Sequence, residues 1–162
     1  MQLRDEDFDN VDPGECRPLL QEGVWPAECL GRESKSYGGL KDKLTFQWRV
    51  FLSLDKSRSC ILPRYYNAPR NKAGRFQFGQ LCAYRNDWVA ANSGRLPLDP
   101  KSLPPSIWEK GTFLVEVVTV RRTRNGPLAP SLYWSRIGRV IRPVEEGECW
   151  ERLPVQLPNT SE

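Results

Sequence analysis

The strongest constraint on the fold is the alternation of apolar and polar residues between Lys43 and Leu52. Every second residue in this run is apolar. The apolar positions are Leu44, Phe46, Trp48, Val50 and Leu52, and the polar ones are Lys43, Thr45, Gln47 and Arg49. Because successive side chains of a β-strand point to opposite faces of the sheet, this run predicts a strand with one face in the core and one polar, basic face.

Four other segments are also typical of strands, and one is typical of a helix. The further predicted strands are residues 22–33, 59–67, 112–122 and 131–142. Pro63 cannot donate to a ladder, so the strand that contains it requires an edge position or a bulge. Residues 79–91 have apolar side chains at three- and four-residue spacings and precede Ser93-Gly94, which predicts a helix and its end. A short turn is predicted around Pro104 and Trp108.

The order of these segments is strand, strand, strand, helix, strand, strand, which is the order of an OB-fold. The sequence therefore predicts a mostly β domain at residues 21–142, an OB-fold-like five-stranded barrel with one helix between strands 3 and 4. A chain of 162 residues suits one domain of this kind. Residues 1–20 are predicted to form an acidic extended arm, and residues 143–162 an acidic, proline-containing C-terminal tail. The alternative folds are another small barrel and a five-stranded sandwich.

The composition argues against several classes of protein. The chain has no histidine, which removes the usual general base, the usual activator of a nucleophile and the commonest zinc ligand. Carboxylates in the central region stand singly and no phosphate-binding glycine loop is present, so we expect neither an enzyme nor a cofactor or metal site. No apolar run approaches the roughly 20 residues that a membrane-spanning helix needs, and the five cysteines have no paired spacing. We therefore expect a cytoplasmic protein with reduced thiols and no membrane partner.

The net charge of +4 conceals a basic centre and acidic ends. From Arg32 to Arg142 the sequence has 21 Lys or Arg against 7 Asp or Glu, a net charge of +14. The remaining residues have 3 basic and 13 acidic side chains, a net charge of −10. Acidic ends of this kind are either solvated tails or segments that fold over the basic surface and compete with a polyanion for it.

An OB-fold binds nucleic acid with the outer face of its second and third strands and with the loops beside them. In this sequence that region combines cations, which neutralise phosphates, with aromatic rings, which stack on bases. The candidate nucleic-acid-binding residues are Lys43, Gln47, Arg49, Arg64, Tyr65, Tyr66, Arg70, Lys72, Arg75, Phe76, Arg121, Arg122 and Arg124.

Each candidate has a plainer interpretation. Tyr65 and Tyr66 must point to opposite faces of their strand, so one of them belongs to the core, and the pattern leaves open which one. The arginines are alternatively ordinary solvated surface. The aromatic residues that we assign to the core are Phe46, Trp48, Trp88 and Trp134.

Several short segments carry a resemblance to a known family. They are Lys43 to Val50 (KLTFQWRV), Leu62 to Asn67 (LPRYYN), Arg75-Phe76 and Ser135-Arg136-Ile137. Across roughly residues 20 to 142 the chain resembles the small OB-fold-like single-stranded-DNA-binding proteins encoded beside replication genes in plasmids, phages and integrative elements. The resemblance implies non-sequence-specific binding of single-stranded DNA, with RNA left open, in replication, recombination or transfer of a mobile element.

The partners and the rival function follow from the same surface. The resemblance implies replication or transfer proteins as further partners. Because a basic and aromatic face also suits protein interfaces, the alternative function is a protein-binding adaptor or inhibitor module. Edge strands of small sheets often pair, which leaves a homodimer open.

Overall fold

A computed structural model of the chain describes residues 17–37, 41–67, 82–99, 102–109 and 111–157. Its long strands are β1 (Gly23–Tyr37), β2 (Lys41–Phe51), β3 (Ser59–Asn67), β4 (Phe113–Val120) and β7 (Trp134–Pro143). The short strands β5 (Arg122–Thr123) and β6 (Gly126–Pro127) form a hairpin between β4 and β7. The helix α1 (Ala83–Ala91) follows β3, and a 3-10 helix (Pro105–Glu109) precedes β4. The five predicted strands and the predicted helix are therefore present, in the predicted order.

The long strands form one antiparallel sheet in the order β3-β2-β1-β4-β7. The two edge strands, β3 and β7, come into contact, but no ladder of backbone hydrogen bonds joins them. The predicted closed barrel is therefore wrong, and the line along which β3 meets β7 is called the seam below. Asp87 of α1 accepts hydrogen bonds from the Arg64 side chain of β3 and from the Val140 amide of β7, so a side chain joins the two edges where a barrel would have a ladder. Pro63 lies in β3, in agreement with the predicted edge position.

The central strand β1 pairs with its two neighbours along different halves of its length. Residues 23–27 pair with β4, and residues 27–37 pair with β2. The register with β2 shifts between Cys29 and Gly31, so Leu30 is an extra residue. Gly31 has a φ of 148°, a conformation that side-chain-bearing residues rarely adopt. This bulge lets one strand serve both halves of the sheet.

The core is dominated by aromatic rings between the sheet and the helices. Leu44, Phe46, Trp48 and Val50, the predicted core face of β2, are at most 3 % exposed. Six rings contact one another with centroid separations of 5.2–6.1 Å. They are those of Phe46, Trp48, Tyr66, Tyr84, Trp108 and Phe113. Since full burial of one large apolar side chain stabilises a fold by about 1.5–3 kcal/mol, this cluster anchors α1 and the 3-10 helix to the sheet.

The helix α1 has a definite start and end. At its start the Cys82 Sγ accepts a hydrogen bond of 3.4 Å from the Arg85 amide. After its last turn, Ser93 and Gly94 have φ angles of 58° and 80°, and the Gly94 amide donates to the Val89 carbonyl at 2.8 Å. Left-handed residues with such a bond are a common way to end a helix. The predicted end at Ser93-Gly94 is thereby confirmed, whereas residues 79–81 of the predicted helix lie outside the described residues.

The described parts of both flanking segments pack against the sheet. In the N-terminal segment, the Pro18 carbonyl accepts from the Ser135 amide at 2.9 Å and the Leu20 amide donates to Ser135 Oγ at 2.7 Å. In the C-terminal segment, the Val155 amide donates to the Val24 carbonyl at 2.7 Å, and Val155 is buried. The described parts of both flanking segments are thus fixed to the domain at defined points.

Candidate functional site

The inner side of the seam is held by one buried carboxylate. Asp87 of α1 accepts from Arg64 Nε at 2.9 Å, from the Tyr66 hydroxyl and from the Val140 amide at 3.1 Å. Arg64 and Tyr66 belong to β3 and Val140 belongs to β7, so Asp87 bridges the two edges. Burial, together with the Asp87 carboxylate, raises the pKa of Tyr66 well above its usual value. These groups form a satisfied polar plug inside the domain.

Two of the predicted nucleic-acid-binding residues therefore face inward. Arg64 and Tyr66 are 7 % and 2 % exposed, and the Arg64 guanidinium lies 4.5 Å from the centroid of the Tyr66 ring. The alternation along β3 explains this placement, since Leu62, Arg64 and Tyr66 share the buried face. The open question about the tyrosine pair is answered: Tyr66 is the core residue and Tyr65 is on the other face.

The outer side of the seam carries two rings and two arginines. The ring centroids of Tyr65 on β3 and Trp134 on β7 are 6.3 Å apart, with the ring planes at 88°. The Arg17 guanidinium carbon lies 4.4 Å from the centroid of the Trp134 ring. Arg136 follows Trp134 at the next outward position of β7 and lies beside Tyr65 and Arg64. Arg17, Tyr65, Trp134 and Arg136 are together called the seam face.

Arg136 is a partly buried cation that no described carboxylate neutralises. The ion pairs within the described residues involve Arg49, Arg64, Arg121, Arg139 and Arg142. Burial, followed by repulsion from the Arg64 charge, lowers the pKa of Arg136. Because an arginine stays protonated in a protein, this lowered pKa marks a charge that a nearby anion would stabilise. The seam face thus combines a guanidinium charge that no described carboxylate balances with the surface of two aromatic rings.

The β5–β6 hairpin extends this basic surface. Val120, at the end of β4, pairs with Trp134, so the hairpin starts next to the seam face. Arg121 is bound to Glu22 and lies 5.8 Å from the centroid of the Tyr133 ring. Its hydrogen bond lowers the pKa of Glu22. Arg122 and Arg124 are exposed, and neither has a carboxylate partner among the residues that the structure describes.

Among the predicted residues of β2, the two whose side chains are described, Gln47 and Arg49, are not part of the seam face. Arg49 pairs with Glu28 of β1 at 2.7 Å, which neutralises it. Gln47 is half-buried and lies opposite Pro63 of β3. Lys43 belongs to β2 by its backbone, and its side chain is not described. The predicted loop residues Arg70, Lys72, Arg75 and Phe76 lie outside the described residues.

Sequence reasoning left two central residues out of the site. Trp134 was assigned to the core, but it is only half-buried, and Arg136 was not among the candidates. The alternation of β7 contains the signal that could have found them. Ser135 and Ile137 are buried, which places Trp134 and Arg136 together on the opposite face.

Other kinds of site have no support within the described residues. No group of three or more potential metal-ligating side chains occurs there, and none of the helices there has the length and apolarity to cross a membrane. Cys29, Cys60, Cys82 and Cys149 are free thiols, and burial raises the pKa of Cys29 to about 11. Comparison of the whole chain with models of protein families, with curated protein sequences and with solved structures finds no match to any of them.

Proposed function

We propose that this protein binds single-stranded nucleic acid, DNA first of all, through the seam face and the adjoining β5–β6 hairpin. The observation that carries the proposal is Arg136, a partly buried cation without a described carboxylate partner, directly beside the rings of Trp134 and Tyr65. Phosphates supply the missing negative charge, and exposed bases supply flat partners for the rings.

The strand order supports the same proposal. A sheet ordered β3-β2-β1-β4-β7, with a helix between β3 and β4, is the arrangement that we would expect of an OB-fold-like domain whose two edge strands touch without a ladder. In that comparison, β7 is the fifth strand and the β5–β6 hairpin lies in the loop between the fourth and fifth strands, one of the loops with which OB-folds bind oligonucleotides. A role in replication, recombination or transfer of a mobile element is the biological setting that the sequence resemblance implies.

The residues of the seam face have separate tasks in this proposal. Arg136, Arg122 and Arg124 contact phosphates, which gives affinity without sequence preference. Trp134 provides the main stacking surface, and Arg17 leaves the ring to contact a phosphate when a base stacks there. Stacking on one aromatic ring contributes about 1–3 kcal/mol per base and selects strands whose bases are unpaired. Duplex DNA, whose bases are already stacked, cannot use Trp134 in this way.

The direct test is fluorescence anisotropy with labelled oligo-dT, oligo-U and a duplex of equal length, each at two salt concentrations. We expect the full chain to prefer the single strands and to lose affinity steeply as the salt concentration rises. Arg58→Ala is the matched control for an exposed arginine, because Arg58 belongs to the β2–β3 turn and not to the seam face. Equal affinity for duplex and single strand would exclude the stacking role of Trp134.

A protein-binding module is the second candidate, and two exposed leucines favour it. Leu19 and Leu132 are 55 % and 56 % exposed. Leu19 lies between Pro18 and Leu20, both of which bond to Ser135, and Leu132 is three positions before Ser135 in the chain. Arginine and tryptophan, the residue types of Arg136 and Trp134, are enriched in protein interfaces, and the exposed leucines add apolar area that a partner would bury. No binding of either single strand at low salt would select this function.

A further inference from the structure

The β5–β6 hairpin carries two arginines beyond one end of the β4–β7 ladder. It begins directly after Arg121, and its base is closed by the Leu128 amide, which donates to the Arg121 carbonyl at 2.8 Å. Arg124 lies in the turn at the tip of the hairpin. Arg122 and Arg124 are exposed and have no carboxylate partner among the described residues. The hairpin therefore presents two guanidinium charges to solvent on a fixed support.

A preformed pocket lies at the other end of the same ladder. Its volume is about 430 Å³, which is within the range of ligand pockets, and it lies between the β2–β3 turn and residues 144–150. Glu148 holds this segment in place, since its carboxylate accepts from the Glu145 amide at 3.1 Å, from Trp150 Nε1 at 3.0 Å and from Arg142. This cavity is called the loop pocket below.

The loop pocket has groups that recognise a guanidinium. Its lining includes Trp150 and the side chains of Glu145 and Glu146, which are exposed and form no ion pair with a described residue. Lys56 also lines it, with its ammonium nitrogen 5.2 Å from the centroid of the Phe51 ring. The lining thus has two unpaired carboxylates and one ammonium group. Because an arginine pairs with carboxylates and stacks on a tryptophan ring, the pocket fits an arginine side chain from outside the molecule.

The hairpin arginines of the same molecule cannot reach this pocket. The ladder ends at Val120 and Trp134 beside the hairpin, and at Phe113 and Pro143 beside the pocket. Because β4 has 8 residues and a strand rises about 3.3 Å per residue, the two features are about 25 Å apart. Complementary groups at opposite ends of one sheet can meet only between two copies. Such a head-to-tail contact leaves one hairpin and one pocket free, so it adds further copies or closes into a ring.

We propose that the β5–β6 hairpin of one copy docks in the loop pocket of a second copy, and that a single strand releases it. In the docked state the two hairpin arginines contact Glu145 and Glu146, and one of them stacks on Trp150. The release rests on the proposed function, in which the same arginines contact phosphates, whereas the contact between copies does not. Exposed ion pairs are individually weak. The docked state therefore forms at high protein concentration and low salt, and dilute protein is free to bind a strand.

The contact is tested by sedimentation equilibrium of the full chain without nucleic acid. The conditions are low salt and concentrations up to about 1 mM, where contacts of a few ion pairs become populated. We expect the average mass of the natural chain to rise with concentration, and this rise to disappear in R122E with R124E and in E145R with E146R. An equimolar mixture of the two double variants should associate again, because each reversed hairpin then meets a reversed pocket.

The matched control is the double variant E109R with E151R. It changes the net charge as much as the pocket variant does, and both positions are exposed and outside the pocket. We expect it to associate as the natural chain does, and added salt to weaken the association of both. The inference is overturned if the natural chain stays monomeric, if the mixture of reversed variants does not associate, or if the control loses association to the same extent.

The release is tested by adding oligo-dT with room for one copy to the associated natural chain. We expect the average mass to fall to that of one copy with its strand, because phosphates then occupy Arg122 and Arg124. Oligo-dT that binds and leaves the association unchanged overturns the inference and leaves the proposed function intact. Association without any binding of oligo-dT keeps the contact between copies and removes the proposed function.

Discussion

Arg136 and Arg142 lie six residues apart on β7 and differ in what surrounds their guanidinium groups. Arg142 donates two hydrogen bonds to Glu148, at 2.7 Å and 2.8 Å, and Glu148 also accepts from Trp150 Nε1 at 3.0 Å. Arg136 has rings and the Arg64 charge around it and no described carboxylate partner. One end of β7 is thus neutralised by its own chain, whereas the other end is left for an external anion.

The difference teaches that the number of basic residues on a strand does not identify a binding surface. The hydrogen bonds of Arg142 hold the pKa of Glu148 at about 2, because the carboxylate is stabilised in its charged form. The same chain provides carboxylates for Arg49, Arg64, Arg121 and Arg139. What marks the seam face is that its Arg136 is partly buried beside two aromatic rings and has no carboxylate partner among the described residues.

The largest expected effect concerns the plug that holds the seam face together. Asp87→Ala leaves the Arg64 charge buried without a partner and should cost about 3–5 kcal/mol in the free energy of unfolding, measured by urea denaturation. Asn86→Ala, an exposed neighbour on the same helix, should change it by no more than about 0.5 kcal/mol. Asp87→Asn keeps one of the two acceptor oxygens and should fall between the two. An Asp87→Ala protein as stable as the natural chain would contradict the role of the plug.

The second-largest effect is expected for the tryptophan of the seam face, Trp134, in comparison with Trp150 beside Glu148. Trp134→Ala should weaken oligo-dT binding by a factor of about 5 to 150, the equivalent of one lost base stack of about 1–3 kcal/mol. Trp150→Ala removes a tryptophan that is tied to Glu148 at the neutralised end, and we expect no change in affinity. Anisotropy titrations at one salt concentration measure both. Equal losses would remove the distinction between the ends.

Arg136 and Arg142 of β7 provide a smaller and sharper comparison. Arg136→Ala should lower the slope of log affinity against log salt concentration by about 0.7, the value for one phosphate contact of a single strand. Arg142→Ala should leave that slope unchanged, because Glu148 already neutralises this side chain. Titrations at four salt concentrations determine the slopes. A lowered slope in Arg142→Ala alone would reverse the assignment of the two ends.

The smallest effect is a pH dependence of the Arg142–Glu148 pair. The pKa of Glu148 is lowered to about 2 in the folded chain, from an ordinary value of 4.5. Its contribution is therefore complete above pH 4.5 and is lost as the pH falls towards 2. Because the pair is partly solvent-exposed, we expect about 1 kcal/mol or less.

The matched variant for this test is Glu148→Gln. The difference in unfolding free energy between it and the natural chain should shrink as the pH falls from 5 to 2.5, roughly the range of the carboxylate titration. The unfolding free energies of the two proteins must be subtracted, because Asp55 also titrates differently in the folded chain. Its pKa is lowered to about 2 by hydrogen bonds from Ser57 and Ser53. A difference that stays constant with pH would show that Glu148 is not the titrating group.

Much of the fold was predictable from the sequence, for a local reason. Alternation fixes which face of a strand is buried, so Leu44, Phe46, Trp48 and Val50 were correctly placed in the core. The order of the elements was also right, because turn residues such as Gly94 mark where helices and strands end. The link across the open seam was not predictable, since it is made by Asp87, which reaches β3 and β7 from a helix that lies far from both in sequence.

The site was less predictable than the fold. Arg64 looked like a surface cation, and only the three-dimensional structure shows that Asp87 provides its buried partner. Arg49 is likewise neutralised by Glu28, and Arg121 by Glu22. The members of each pair are far apart in the sequence, so no periodic pattern of residues connects them. The contribution of Arg17 was hidden for the same reason, because its distance to Trp134 is short only after folding.

The edge strands β3 and β7 can separate along the seam, because side chains and no ladder of backbone hydrogen bonds join them. Separation of the two edges requires that Asp87 gives up its hydrogen bonds to them and that the rings of Tyr65 and Trp134 part, while every ladder of the sheet stays intact. The distance between β3 and β7 can therefore change without the loss of a ladder. In a closed barrel, backbone hydrogen bonds between the closing strands fix that distance. We expect the backbone amides along these two margins to exchange with deuterium before those between β1 and β2, and a ligand that spans the line to delay that exchange.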